Sequence, residues 1–164
     1  MHFEEHARDE MLDILESLGD SEAKVTITGY TGLLTAQTCL DPVDVTRRTG
    51  LKISEEPWSV RYCLRMIPIQ RTVRASIADI AGESGFVAGM IPEGETYKIY
   101  VKKRGSAVSG TEIIKEMALR IPNKVRMKQP DRMVLVEIIQ DMAGISVLQE
   151  GDVLGVHGIK RSLS

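Results

Sequence analysis

Apolar residues at Met11, Leu12, Ile14, Leu15 and Leu18 recur at the spacing of one helix face, which predicts an amphipathic helix over 4–18, with Gly19 placed to end it. Two short alternating runs, 24–28 (KVTIT) and 33–39 (LLTAQTC), flank a Gly-Tyr-Thr-Gly turn and read as strands. Asp41-Pro42 supplies an N-cap and a first-turn proline for a helix to about residue 51. The longest alternation, WSVRYCLRMIPI at 58–69, predicts a strand with Val60, Tyr62, Leu64 and Met66 on one face and Arg61, Cys63 and Arg65 on the other.

Beyond a junction near 68–75 the alternation of helix and strand resumes. Ser76 with Asp79 opens a helix that Gly82 and Gly85 interrupt and that ends near Met90. TYKIYVKKR (96–104) is a strand with Tyr97, Ile99 and Val101 inward and Lys98, Lys102 and Arg104 outward. Ser109 with Glu112 forms a capping box for a helix over 110–121, bounded by Pro122. KVRM (124–127) reads as a short strand, and 133–139 with 145–148 as a hairpin around Gln-Asp-Met-Ala-Gly. From residue 150 the pattern fades into a weakly structured tail. The fold class is α+β, in two interleaved halves.

Composition adds little to this: 43% hydrophobic and 27% charged over 164 residues is ordinary for a globular chain. No apolar run approaches the length that spans a membrane, and the acidic start MHFEEHARDEM is unlike a signal peptide, so the expected location is the cytoplasm. Cys39 and Cys63 lie in apolar runs with no CxxC pattern and read as buried free thiols. Charge is more telling. Residues 1–56 hold Arg8, Lys24, Arg47, Arg48 and Lys52 against 12 acidic residues, while 98–132 hold 10 basic residues against Glu112, Glu116 and Asp131. Such asymmetry fits a half that faces a polyanion, and equally a well-solvated surface whose two halves attract each other.

Catalytic chemistry finds little support. His2, Glu5 and His6 fit the HxxEH pattern of some zinc peptidases, and a small metalloenzyme using His2 and His6 is the distant alternative reading. A short match in an acidic first turn is usually chance, and no metal or cofactor is expected. Gly29 and Gly32 are followed by no Gly-Lys-Ser/Thr, so they form no phosphate loop. Outside the N-terminal helix only His157 could serve as a histidine base, and nothing around it resembles a triad. Glu137 and Asp141 read as a strand residue and a turn residue rather than a catalytic pair. Gly82-Glu-Ser-Gly85 has the GxxG form of an RNA clamp, but its glutamate would repel phosphate and a turn between helices explains both glycines.

Basic residues form the better constellation. Lys98, Lys102, Lys103 and Arg104 lie on or beside one predicted strand, Lys124, Arg126 and Lys128 alternate on another, and Arg61, Arg65, Arg71 and Arg74 flank the junction. Lysine and arginine suit phosphate because they neutralise it and release condensed counterions. Aromatic residues make up only 4% of the chain, and Trp58, Tyr62, Tyr97 and Tyr100 fall inside strand patterns. Recognition of structured RNA by shape and backbone is therefore favoured over base stacking.

Four ordered segments carry a family resemblance: TGLLTAQTCLDP, EPWSVRYCLRMIPIQRTV, GETYKIYVKKRGS and KVRMKQPDRMVLVEIIQDMAGISVL. From about residue 18 to 155 the chain resembles THUMP-domain proteins, most closely the stand-alone archaeal and eukaryotic type associated with tRNA acetylation. The resemblance implies an N-terminal ferredoxin-like subdomain (1–70), a THUMP domain (71–155) and a tail (156–164). It further implies binding of tRNA at the acceptor stem and 3′ end by a non-catalytic adaptor that serves a separate tRNA acetyltransferase making 4-acetylcytidine. Arg65, Arg71, Lys103 and Arg104 match basic positions of the family pattern; Lys102, Lys124, Arg126 and Lys128 join them on charge alone. A subunit for tRNA thiolation or methylation is the other adaptor reading, weakened because those enzymes usually carry a catalytic domain in the same chain. The family's first strand and basic loop are not matched, since only MHFEEHARD precedes the first helix.

Overall fold

The computed structural model describes residues 3–162, which divide into two compact units: residues up to Pro68 together with those from Asp152 onward, and Ile69–Gly151.

The first unit begins with α1 (Glu4–Ser17), which buries Ala7 and Leu15 and ends where Gly19 takes φ 114. A hairpin of β1 (Lys24–Ile27) and β2 (Leu34–Gln37) follows, antiparallel with Lys24 opposite Gln37. Asp20 ties the hairpin to the helix end: its carboxylate accepts from the Thr38 hydroxyl at 2.5 Å and from the N–H groups of Cys39 and Glu22 at 3.0 Å each. Helix α2 (Pro42–Glu55) starts on Asp41, whose side chain accepts from the Asp44 N–H at 2.9 Å. This order, closed by the short β3 (Arg65–Met66), is that of a ferredoxin-like subdomain with no strand ahead of α1 among the described residues. Among the described residues its strands form separate two-stranded sheets.

The alternation at 58–69 misleads. Only Arg65–Met66 is strand. The reason lies far away in sequence: Glu10 on α1 accepts the backbone N–H groups of Arg61, Tyr62 and Cys63 at 2.8–3.0 Å, so these donors are spent on a carboxylate rather than on a strand ladder. Val60 and Met66 are buried as expected, but Trp58 is 66% exposed and Leu64 50%. Neither thiol is fully buried; Cys39 is exposed and Cys63 half-buried, and both are free. Burial, followed by the charge of Glu10, pushes the Cys63 thiol up to about 12.

Residues expected to form a loose tail complete this unit. β8 (Leu154–Gly155) pairs antiparallel with β3, and α6 (Val156–Ser162) follows it, with Lys160 donating to the Val60 carbonyl at 2.6 Å. Leu154 and Val156 join Ile53, Val60 and Met66 in its core. Asp152, itself buried, pairs with Arg47 at 2.9 Å.

The second unit is a four-stranded sheet in the order β4-β7-β6-β5, formed by β4 (Arg71–Arg74), β5 (Tyr97–Arg104), β6 (Arg132–Ile139) and β7 (Met142–Leu148). β5 runs parallel to β6, and the other pairs are antiparallel. Helices α3 (Ile77–Gly82), α4 (Ser84–Met90) and α5 (Gly110–Ala118) contribute Ile80, Val87, Ile113 and Met117 to a core with Val134, Val136, Ile138, Ala143 and Ile145. The Ser76 and Ser109 caps form as the sequence predicts, each accepting from the N–H three residues on. Strand β4 escaped the sequence reading because four residues with two arginines offer no periodicity.

Candidate nucleic-acid interface

Successive side chains on β5 alternate between the two faces of the sheet. Tyr97, Ile99 and Val101 pack toward the helices, which leaves Lys98, Tyr100, Lys102 and Arg104 on the opposite face. Lys98 holds its ammonium 4.6 Å from the centroid of the Tyr100 ring, a cation–π contact on a tyrosine that is 37% exposed. Lys102 is exposed. Arg104 lies 3.8 Å from Glu137 on β6.

The segment expected to be a second basic strand is a loop that touches the sheet edge at one point. Tyr97 donates its N–H to the Lys124 carbonyl at 3.1 Å and accepts from the Arg126 N–H at 2.9 Å, so residues 124–126 run alongside the start of β5. Lys124, Arg126 and Lys128 are all exposed. Together with Lys98 and Lys102 they make one basic border along the β5 edge. Among the described residues Lys124 and Lys128 take part in none of the ion pairs, while Lys102 stands opposite Glu137 of β6 in the parallel register.

Two anchors hold this loop. Asn123 donates through Nδ2 to the carbonyls of Pro92 and Glu95 at 3.0 and 3.1 Å. Asp131 accepts from the Thr96 N–H at 2.8 Å and from the Thr96 hydroxyl at 3.0 Å. Those two hydrogen bonds first, and the charges of Arg126 and Arg132 after them, hold the Asp131 carboxyl below its usual value. A group whose pKa is lower in the folded than in the unfolded state stabilises the fold above its unfolded value, and that stability drains away as pH falls through the folded one. Asp131→Asn is therefore expected to melt at a lower temperature than the parent at neutral pH, with the gap closing as pH drops below the ordinary carboxylate value of about 4. Thermal melts from pH 7 to pH 3 check this; a gap that persists unchanged at pH 3 contradicts it.

Not every basic residue singled out from the sequence joins the border. Lys103 lies on the helix side of β5 and donates to the Val108 carbonyl at 2.8 Å, which makes it a strut for the 105–109 turn. Arg71 lies on β4, at the far edge of the sheet, with its guanidinium 4.5 Å from the Phe86 ring centroid and 3.7 Å from Glu83. Arg65 belongs to the first unit, on β3. Sequence reasoning also passed over two features. Tyr100, read only as part of a strand pattern, is exposed beside Lys98. Met127 stands 67% exposed in the middle of the basic loop. The histidine pair of the metal pattern cannot be placed, because His2 lies outside the described residues; His6 stacks on Tyr62 with centroids 5.0 Å apart. No group of metal-ligating side chains occurs among the described residues, and none of their helices is long and apolar enough to cross a membrane.

The second unit is thus a mixed α/β module with helices on one face of its sheet and exposed basic residues along the β5 edge. Comparison with known proteins is more specific. Residues 86–148 match the family model of the THUMP domain, so that stretch of the chain carries a THUMP domain. Over 102 residues, 55% of this chain, it is 33% identical to THUMP domain-containing protein 1 of Mus musculus, and it spans 28% of that protein's length. Among solved structures it is similar to PH1313 from Pyrococcus horikoshii Ot3, with a TM-score of 0.64 and 15% identity over 89% of this chain and 47% of that one. It is also similar to TrmN from Thermus thermophilus, with a TM-score of 0.53 and 17% identity over 85% of this chain and 41% of that one. At such identities these two share the fold, a THUMP domain preceded by a ferredoxin-like subdomain.

Proposed function

We propose that this chain is a non-catalytic adaptor that binds tRNA at the acceptor stem and 3′ end and presents it to a separate acetyltransferase for 4-acetylcytidine formation. The observation that carries the RNA part is the β5 border, where Lys98 and Lys102 lie on β5 and the exposed Lys124, Arg126 and Lys128 on the loop that runs alongside its start. A border of this kind supplies sequence-independent affinity through phosphate neutralisation and sets the orientation of a duplex. Arg65, Arg71, Lys103 and Arg104 are assigned lesser roles, because three of them are held by other groups and Arg65 belongs to the other unit.

Removing the gene from its host is expected to eliminate 4-acetylcytidine from tRNA, measured by nucleoside mass spectrometry, while the purified chain transfers no acetyl group from acetyl-CoA to tRNA. Intact acetylcytidine with loss of a thiolated or methylated nucleoside would transfer the adaptor role to another enzyme. Acetyl transfer by the chain alone would overturn the non-catalytic reading.

A further inference from the structure

Helices α1 and α2 face each other across a cavity of about 390 Å³ whose lining belongs to the first unit. Ile14, Ser17 and Leu18 form the α1 wall, and the α2 wall runs from Arg48 to Glu56, so both walls follow the three- and four-residue spacing of a helix face. A trough between two helices accepts a third by packing ridges into grooves. Leu51 stands on its wall 66% exposed, and Trp58, exposed to the same degree, directly precedes the lining residue Ser59. Two hydroxyls on the lining lack partners. Thr49 is 3% exposed, and its Oγ1 makes no hydrogen bond within the chain; neither does the buried Oγ of Ser59. Buried hydroxyls are nearly always paired, so these two call for a guest that forms hydrogen bonds.

Charge selects the guest. Among the described residues Glu55 and Glu56 on the lining, and Asp13 one turn before Ser17, enter no ion pair. Of the two cations on the lining, Arg48 is held by Asp44 at 3.6 Å, which leaves Lys52 against three carboxylates. The carbonyl ends of both helices lie here too, and α1 has no basic residue in its last turn to offset its negative pole. An arginine meets these conditions together. Its stem lies well on apolar surface, its N–H donors suit hydroxyl oxygens and carboxylates, and its charge persists when buried.

We propose that the trough is a protein-docking site that receives an amphipathic helix of a partner protein, with an arginine of that helix inserted between α1 and α2. The arginine stem packs on Ile14, Leu18 and Val60, its guanidinium donates to Thr49, Ser59 and the carboxylates of Glu55 and Glu56, and apolar neighbours cover Leu51. Docking of this kind is independent of RNA binding and goes beyond it; for an adaptor it supplies the contact with a second protein on the unit that does not carry the β5 border.

Stapled helical peptides of about fifteen residues, labelled with fluorescein, serve as probes. They share a leucine stripe and differ only at the central position, which is arginine, its neutral isostere citrulline, or glutamate. The full chain is expected to bind the arginine peptide roughly tenfold more tightly than the citrulline one, the effect of a charge-assisted hydrogen bond, and the glutamate peptide more weakly still. Glu55→Lys combined with Glu56→Lys should abolish the preference for arginine. Thr49→Val keeps the shape and should narrow the preference without lowering the melting temperature, a combination that a merely structural threonine does not give. Leu51→Ala should weaken all three peptides alike, and tRNA affinity should be unchanged in every variant. Absence of binding, equal affinity for the arginine and citrulline peptides, or a preference that survives the double reversal overturns the proposal. Self-association of the chain that Leu51→Ala abolishes gives the trough to a second copy, and loss of tRNA binding in Leu51→Ala gives it to RNA; either result overturns the proposal as well.

Discussion

Reversing Lys102, Lys124 and Lys128 to Glu together is expected to lower affinity for whole tRNA by roughly a hundredfold or more at moderate salt, because three phosphate contacts become three repulsions. All three side chains are exposed, so the fold loses no buried packing, although Glu at 102 would stand opposite Glu137 of β6. The salt dependence should flatten by about two to three log units of affinity per log unit of salt, at 0.7–0.9 for each contact removed. Lys24, Lys52 and Lys115 are exposed as well and lie off the border, so reversing them changes net charge equally and should leave affinity within a fewfold of the parent. Anisotropy across a salt series, with circular dichroism as the folding check, reads both effects. Equal losses from the two triple variants would mean that only overall charge matters. Lys103 and Arg104 are left out because each is already engaged, by the Val108 carbonyl and by Glu137, and their reversal would disturb the sheet edge as well as any RNA contact.

Deletion of residues 152–164 is expected to unfold the first unit and spare the second. It removes Leu154 and Val156 from a core that also holds Ile53, Val60 and Met66, along with the partner strand of β3 and the Asp152–Arg47 pair. Two buried aliphatic side chains are worth roughly 3–6 kcal/mol. That rivals the whole stability of a small domain. The second unit loses no core residue to the deletion. Hydrogen exchange or limited proteolysis should then show residues 4–66 unprotected and strands β4–β7 protected. Retained protection of α1 and α2 would show that the first unit closes without these residues.

What the sequence disclosed was mostly local. Caps at Asp41, Ser76 and Ser109 satisfy N–H groups three residues away, so the signal lies within four positions, and those helices begin where expected. Alternation on β5 and β6 reflects one face buried beneath helices and was legible for the same reason. Errors arose where a distant partner decided the outcome. Nothing near Tyr62 announces that Glu10 will take its N–H, and nothing near Leu154 announces that α2 and β3 need it for their core. The interface divides in the same way. Charge located Lys102, Lys124, Arg126 and Lys128, whereas the engagement of Lys103 and Arg71 depends on Val108, Phe86 and Glu83, whose positions only the fold supplies.

The return of residues 152–162 to the first unit also sets an order of events during synthesis. A ribosome releases the chain from its N-terminus, so residues up to 68 emerge early but lack β8, Leu154 and Val156 until the whole of Ile69–Gly151 has been made. The second unit, continuous in the chain, can fold as soon as β7 clears the exit tunnel. Pairing β3 with β8 instead closes a loop of nearly ninety residues, a non-local contact of the slow kind. The four-stranded sheet is thus complete before the subdomain that precedes it in the chain. For that interval the apolar faces of α1 and α2 lack their last covering residues.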